Sequence, residues 1–320
     1  MRRALAALLA ALVFVLPVLA DGEVSSPPGP EEFVPEIMEG AGLGEGGFAV
    51  AFRSLDGGVD WYYNEEAYFK AASVYKLPLN MYFYELENSG ALSPDELIGG
   101  IRLSVCHRES LEHSDNPISQ TMLDYLGGYA QYKRLILPYT GYVESELRPD
   151  YYNENAFTAR MVLNILDYLY THSDEFAGAI DHLLAAQPGQ YLKGGSLDAP
   201  IAQKYGYERY DGVLHVAVAG IVYGEHPFLI VILTRGSYAA VDAMGELCDA
   251  FAAWNEAEAE ARLAAERERA EAEAAAEREA RLAAARGAVM DAVTAALEIA
   301  PLPADLPWDG ILDAVRESSG

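Results

Sequence analysis

Strand-forming segments stand at both ends of a long helical region, and this order limits the folds open to the chain. In GFAVAFRSLDGGVDWYYN, Phe48, Val50 and Phe52 alternate along one strand, and an Asp-Gly-Gly turn leads into a second. Helical periodicity begins near Ser73 and continues to about Ala186. Strand patterns return in IAQKYGYERY, VLHVAVAGIVY and PFLIVILTRG, followed by the amphipathic helix AAVDAMGELCDAFAAW. This order predicts an antiparallel sheet built from both ends of the domain, with a helical lobe inserted between them.

The N-terminus has the pattern of a secretory signal peptide. Arg2 and Arg3 form a positive region, an apolar run follows, and Val18-Leu19-Ala20 offers a small-residue cleavage site. The run is shorter than the roughly 20 apolar residues of a membrane span, so an uncleaved anchor is the lesser alternative. We therefore expect an exported protein, secreted or held in the cell envelope, that contacts the membrane only if the signal is uncleaved.

Composition separates one globular domain from its flanking segments. Hydrophobic residues make up 51% of the 320 residues and charged residues 22%, which suits a large folded domain rather than a disordered chain. Beyond Trp254 the sequence shifts to Ala, Glu and Arg with almost no apolar seam. This shift predicts a long solvated helix and argues against a coiled-coil dimer. The predicted segments are a signal peptide (1–20), a linker (21–32), the globular domain (33–254), the charged helix (255–286) and a C-terminal segment (287–320).

The charge balance and the cysteine and histidine content exclude several kinds of partner. With 22 Lys+Arg against 49 Asp+Glu, the formal net charge is −27, so the protein should repel nucleic acid and anionic membrane surfaces. Cys106 and Cys248 are either a disulfide pair or buried free thiols, and the sequence leaves both open. The six histidines are scattered and neither H-E-x-x-H nor C-x-x-C occurs, so we expect no metal site, and nothing in the sequence requires an organic cofactor. A monomer is the default expectation.

Three short motifs rich in serine and lysine follow one another along the chain. Ser73 and Lys76 form S-x-x-K at the start of a predicted helix, and Ser114-Asp115-Asn116 forms S-D-N in the helical lobe. Lys204 and Gly206 then form K-x-G on a predicted strand. S-x-x-K, S-D-N and K-x-G in this order are typical of penicillin-recognising serine enzymes. Each motif also has an ordinary explanation: chance for the first, a helix cap for the second and an exposed strand lysine for the third. Those explanations do not account for the order of all three.

The residue types suit acyl transfer. A serine hydroxyl is a weak nucleophile and needs a neighbouring base. Lys76 lies one helical turn from Ser73 on the same face, and it can accept the serine proton if nearby cations depress its pKa. A serine near a helix N-terminus also places backbone N–H groups close to the negative charge that develops during acylation.

On these motifs, the sequence from about Phe33 to Trp254 resembles the class A β-lactamases and their penicillin-binding relatives. The resemblance implies an α+β fold, an α/β sandwich of helices on a five-stranded antiparallel sheet, with a helical lobe and the active site between lobe and sheet. A long C-terminal helix would follow that sandwich.

The same resemblance implies a role for each motif residue. Ser114 would relay a proton to the leaving nitrogen, and Asn116 would hold the substrate amide. Lys204 would bind the substrate carboxylate on the strand motif that Gly206 completes. The backbone N–H groups of Ser73 and Tyr207 would form the oxyanion hole.

Two departures from that family pattern affect substrate choice and turnover. Tyr205 replaces the small hydroxyl residue of K-T-G, and the direction of its side chain decides whether its phenol can substitute. The loop that should carry E-x-x-L-N is short, and Glu144 begins only a partial match to it with Arg148 in place of Asn. Glu144 is expected to be a solvated surface residue, and neither Glu146 nor Glu154 is a better candidate for the deacylating base.

These observations support three hypotheses. The first is an exported serine hydrolase that forms an acyl-enzyme at Ser73 with a β-lactam or a related peptide amide. The second is a D-Ala-D-Ala carboxypeptidase or penicillin-binding enzyme with slow deacylation. The third is a non-catalytic module that binds cell-wall peptides, favoured by Tyr205 and the short loop but opposed by the complete set of motifs. In all three, the partner is a small molecule or a cell-wall peptide.

Overall fold

The computed structural model describes residues 28–187 and 189–297. The predicted signal peptide, most of the predicted linker and residues 298–320 of the predicted C-terminal segment lie outside the described residues. The first helix begins at Pro30, inside the predicted linker and three residues before the predicted start of the globular domain at Phe33. Proline suits this position because the first turn of a helix does not need its missing N–H.

The described residues form eight α-helices and nine strands. The helices are α1 (Pro30–Gly40), α2 (Lys76–Asn88), α3 (Leu103–Leu111), α4 (Asn116–Tyr125), α5 (Tyr129–Leu135), α6 (Ala159–Thr171), α7 (Ala177–Leu184) and α8 (Ala240–Leu297). The strands are β1 (Phe48–Ser54), β2 (Asp60–Tyr63), β3 (Phe69–Lys70), β4 (Leu97–Ile98), β5 (Ile101–Arg102), β6 (Ala156–Phe157), β7 (Ile201–Tyr210), β8 (Val213–Val222) and β9 (Phe228–Arg235).

Five strands form one antiparallel sheet in the order β2-β1-β9-β8-β7. The two N-terminal strands therefore pair with the three C-terminal ones through β1 and β9, which confirms the predicted five-stranded antiparallel sheet. A tight turn at Asp211 and Gly212, both with positive φ, joins β7 to β8. Because β7 lies at the edge, one side of its backbone is free to face another element.

The sheet separates two hydrophobic cores, as strand alternation requires. Ala49 and Ala51 of β1 face the helical lobe, where α2 and α6 pack. Val50 and Phe52 face the opposite side, and Phe52 stacks on Phe251 of α8 at a ring-centroid distance of 4.8 Å. The molecule is thus an α/β sandwich with helices on both faces of the sheet, as predicted.

The two C-terminal helices expected from the sequence are one continuous helix, α8, of 58 residues. The change of composition at Trp254 introduces no helix breaker, since Ala, Glu and Arg are strong helix formers. Just beyond it, Asn255 donates to the His226 carbonyl and Arg262 pairs with Asp56 at 3.2 Å. The described helix beyond these contacts is largely exposed.

Both cysteines are free and buried: Cys106 lies in the lobe core and Cys248 in the core beneath α8. Among the described residues, no helix combines the length and apolar character needed to cross a membrane.

Candidate active site

Ser73 lies in a 3₁₀ turn, Ala72–Tyr75, that leads directly into α2. Ala72 has φ +45°, a strained conformation for a residue with a side chain, and it sets the direction from which the chain enters the turn. Ser73 is half-buried and lines an open cleft of about 420 Å³ between the sheet and the helical lobe. The helix start therefore presents the serine to solvent while the neighbouring residues are buried.

Lys76 is fully buried at the first position of α2. Its Nζ donates to the Ser114 carbonyl at 2.5 Å and to the Asn116 Oδ1 at 2.6 Å, and it lies 3.3 Å from the Ser114 Oγ. Burial lowers the pKa of Lys76 to about 8, although the Asp115 carboxylate acts in the opposite direction. A substantial fraction of this amine is therefore neutral near pH 8 and able to accept a proton.

A chain of buried hydrogen bonds fixes the S-D-N turn against α2. Asn80 Nδ2 donates to the Lys76 carbonyl at 2.7 Å and to Ser110 Oγ at 2.9 Å. Ser110 Oγ lies 2.9 Å from Ser119 Oγ, and Ser119 donates to the Asp115 carbonyl. Asp115 also caps α4. Because these polar groups lie inside the lobe, few other hydrogen-bond partners are open to them. They therefore hold the S-D-N turn in a fixed position relative to Lys76.

The third motif brings the edge strand β7 into direct contact with Ser73. A Cβ atom on Gly206 would lie 2.7 Å from both the backbone N and the Cβ of Ser73, closer than real side chains approach. Glycine is therefore required here for close approach and not for backbone conformation. The free backbone groups of an edge strand at this distance suit an oxyanion hole made with the Ser73 N–H.

Lys204 is fully buried on the same strand face, and its Nζ donates to the Tyr205 carbonyl at 3.3 Å. Burial and the nearby Lys76 together lower the pKa of Lys204 well below its ordinary value. A bound anion would favour its charged form, which is the electrostatic basis for its predicted contact with a substrate carboxylate.

Neighbouring strand positions point to opposite faces, so the Tyr205 side chain points away from the face that carries Lys204 and Gly206. Its ring packs in the core beneath α8 and stacks on Tyr191 at 4.4 Å. The phenol therefore does not replace the missing small hydroxyl in the cleft. Tyr207 lines the cleft but is 59% exposed, and its ring meets Tyr238 edge-on at 5.7 Å.

The structure brings the predicted site residues Ser73, Lys76, Ser114, Asn116, Gly206 and Tyr207 together around this cleft, and it buries Lys204 close enough to Lys76 for the two charges to interact. It also adds residues that the sequence did not indicate: Tyr75, Asn155 and Glu208 line the same space. No group of three or more His, Cys, Asp or Glu residues capable of holding a metal ion occurs in residues 28–187 and 189–297.

Asn155 reaches the cleft through the small sheet formed by β3 and β6. The Asn155 carbonyl accepts from the Ala71 N–H at 3.0 Å, and its side-chain Nδ2 donates to the Ala72 carbonyl at 2.8 Å. Lys133 supports the adjoining backbone by donating to the Ala156 carbonyl at 2.9 Å. These contacts attach the loop to the entry of the serine turn.

A family model described as "Beta-lactamase enzyme family" matches residues 32–256, which is more than two thirds of the sequence. The chain belongs to this β-lactamase family. The match ends two residues after Trp254, so most of the charged part of α8 lies outside the family domain.

Solved β-lactamase structures share the fold at low sequence identity. A β-lactamase from Chitinophaga pinensis matches with a TM-score of 0.60 and 20% identity, covering 71% of this chain and 98% of that one. The class A β-lactamase of the last common ancestor of Gram-negative bacteria matches with a TM-score of 0.61 and 17% identity, covering 71% of this chain and 99% of that one. A β-lactamase from Xanthomonas campestris matches with a TM-score of 0.55 and 17% identity, covering 66% of this chain and 92% of that one. No curated protein matches the sequence.

Within this β-lactamase-family domain, the glutamates of the short loop are not placed as catalytic bases. Glu144 and Glu146 are exposed in a 3₁₀ turn. Glu154 pairs with Lys70 at 3.0 Å and with Arg148 at 2.6 Å, and these cations hold its pKa below the ordinary value. The hydrogen-bond partners of Lys76 all come from the S-D-N turn, so the loop supplies no carboxylate to this lysine in the described structure.

Proposed function

We propose that this β-lactamase-like serine hydrolase is exported and forms an acyl-enzyme at Ser73 with a β-lactam or a related peptide amide. The observation that carries the proposal is the state of Lys76: it is buried, has a lowered pKa, lies one turn from Ser73 and is held by Ser114 and Asn116. A lysine tuned in this way is suited to act as a general base.

In the proposed reaction, Ser73 Oγ attacks the carbonyl carbon of the substrate while its proton passes to neutral Lys76. The C–N bond then breaks, and the proton reaches the leaving nitrogen through the Ser114 hydroxyl, 3.3 Å from the lysine. Backbone N–H groups of Ser73 and Tyr207 stabilise the oxyanion. The product of this half-reaction is an ester at Ser73.

Export is part of the proposal because of the sequence of residues 1–20. Cleavage after Ala20 predicts a mature chain beginning at Asp21 when the protein is recovered from the cells that make it. An intact mass that includes residues 1–20 would contradict cleavage.

Intact-mass spectrometry over time, with purified residues 21–320 and a penicillin, tests the acyl-enzyme. We expect a mass increase equal to the whole drug in the parent and no increase in Ser73→Ala, because the attacking oxygen is absent. Ser89→Ala is the matched control, since Ser89 is an exposed residue just after α2. Labelling of Ser73→Ala at the parental rate would refute the proposal.

A D-Ala-D-Ala carboxypeptidase or penicillin-binding enzyme is the second candidate, supported by the loop glutamates that stay away from Lys76. In that case the penicillin adduct would persist, and a peptide ending in D-Ala-D-Ala would lose its last residue in the presence of the parent. A non-catalytic peptide-binding module is supported less well, because the motif residues are all present. Such a module would give no adduct with either substrate.

A further inference from the structure

Glu208 projects from β7 beside the nucleophile. Alternate residues of a strand share a face, so Lys204, Gly206 and Glu208 lie on the side that packs against the serine turn. Gly206 approaches Ser73 as closely as a residue without a side chain allows, and Glu208 is the next residue on that face. Glu208 lines the same cleft as Ser73.

The surroundings of Glu208 distinguish it from a solvated surface residue. It is half-buried, and its Oε1 atom is enclosed without a hydrogen-bond partner in the part of the chain that the structure describes. A buried polar atom without a partner costs free energy, so such an atom in a cleft suggests a partner that arrives with the reaction. Burial raises the pKa of Glu208, while Lys70, the Ala72 backbone and the Asn155 amide partly offset that effect.

Asn155 is held in a fixed position next to this carboxylate. Its Nδ2 donates to the Ala72 carbonyl at 2.8 Å, and its Oδ1 accepts from the Tyr129 hydroxyl at 3.1 Å. An amide oxygen has two lone pairs, so one remains to accept a hydrogen bond from water. Glu208 and Asn155 are therefore two polar side chains that line the Ser73 cleft and could share one water molecule.

We propose that Glu208 is the general base that activates water to hydrolyse the Ser73 acyl-enzyme, with Asn155 positioning that water. The proposal rests on the proposed function, because it needs an ester at Ser73. In this proposal the base for deacylation comes from the edge strand β7, since the loop glutamates Glu144, Glu146 and Glu154 are not placed to act as that base.

The step balances as an ester hydrolysis. The Glu208 carboxylate accepts one proton from water, and the water oxygen forms a bond to the ester carbonyl carbon. The bond between that carbon and Ser73 Oγ then breaks, and the proton held by Glu208 returns to the serine oxygen. The acid product carries the new oxygen, the Glu208 carboxylate is restored, and Lys76 stays neutral, as acylation left it.

The test is the Glu208→Gln variant, which keeps the size and hydrogen-bonding capacity of the side chain but removes its basicity. With a chromogenic cephalosporin, we expect unchanged acylation and about 100-fold slower deacylation, so the acyl-enzyme accumulates in the mass spectrum. Both kcat and KM should fall together, and kcat/KM should stay near the parental value. Glu144→Gln, an exposed glutamate of the loop, is the matched control and should behave as the parent.

The pH dependence of the deacylation rate is a second measurement, and it would not change on mutation if Glu208 had only a structural role. Glu208 must be deprotonated to act as the base, and its pKa is raised. As the pH is lowered, the deacylation rate of the parent should therefore begin to drop at a higher pH than it would with an ordinary glutamate. That acid limb should be absent in Glu208→Gln and return in Glu208→Asp with a reduced rate.

Three results would overturn the assignment. Deacylation of Glu208→Gln at the parental rate would remove its role, and equal losses of acylation and deacylation would indicate a structural role instead. A parent that is acylated but never clears its adduct would also refute it while leaving the proposed acyl-enzyme intact. If the parent neither acylates nor hydrolyses the probe, the proposed function itself fails, and that result is distinct from the other three.

Discussion

Replacing Lys76 by Met lowers kcat/KM for acylation of Ser73 by about 10²–10⁴-fold, the range expected for loss of a general base. Methionine nearly fills the buried volume of the lysine but cannot accept the serine proton. The Ser114 carbonyl and the Asn116 Oδ1 lose their donor, so a small loss of thermal stability accompanies the change. Removal of a buried amine offsets part of that loss.

The pH dependence separates this chemical role from a packing role. Acylation needs the neutral amine, so with a pKa of about 8 its rate constant should rise as pH passes through about 8 and then level off. At pH 7 only roughly a tenth of the amine is neutral. An ordinary lysine would extend the rise to above pH 10. The Lys76→Met variant should lack this limb altogether.

Rates of adduct formation measured from pH 5 to pH 10 check both statements. Lys193→Met is the matched control: the Lys193 amine also donates to backbone carbonyls, yet the residue does not line the cleft. It should keep the parental rate and the parental pH profile. A Lys76→Met protein with the same limb near pH 8 would show that another group accepts the proton.

The sheet and the first two motifs were predictable because their information is local. Period-2 alternation and helical periodicity assign faces over a few residues, and Ser73 and Lys76 lie one turn apart where the 3₁₀ turn leads into α2. The same alternation also decides two points that the motifs alone do not. It sends Tyr205 to the face opposite Lys204, and it carries the cleft face from Gly206 on to Glu208.

Asn155 could not be found in this way, because tertiary pairing brings it to the site. The residue lies 83 positions from Ala72, whose carbonyl it binds, and the pairing of β3 with β6 brings the two segments together. The continuity of α8 was missed for a different reason. A change from an amphipathic to a solvated composition at Trp254 marks the end of burial, but it does not mark the end of a helix.

Replacing Gly206 by Ala should lower kcat/KM by about 10²–10³-fold, although the new side chain is a single methyl group. That methyl would lie 2.7 Å from the backbone N of Ser73 and 3.1 Å from its Oγ. Its nearest neighbours are the Cβ and the backbone N of Ser73, neither of which can swing aside as the end of a flexible side chain can, so β7 and the serine turn must move apart. A displacement of about 1 Å at a reacting centre costs roughly 10²-fold, and a misaligned oxyanion donor costs about 10²–10³-fold.

Stability distinguishes this local effect from unfolding. The movement is confined to a sheet edge, so we expect Gly206→Ala to keep a cooperative thermal transition with Tm lowered by only a few degrees. Gly224→Ala is the matched control, because a Cβ at Gly224 would meet no atom closer than 4.0 Å. Steady-state kinetics and thermal unfolding of the two variants decide the matter. Parental kcat/KM in Gly206→Ala would mean that the site tolerates a wider gap between strand and serine, and the proposed oxyanion hole would then have to be formed elsewhere.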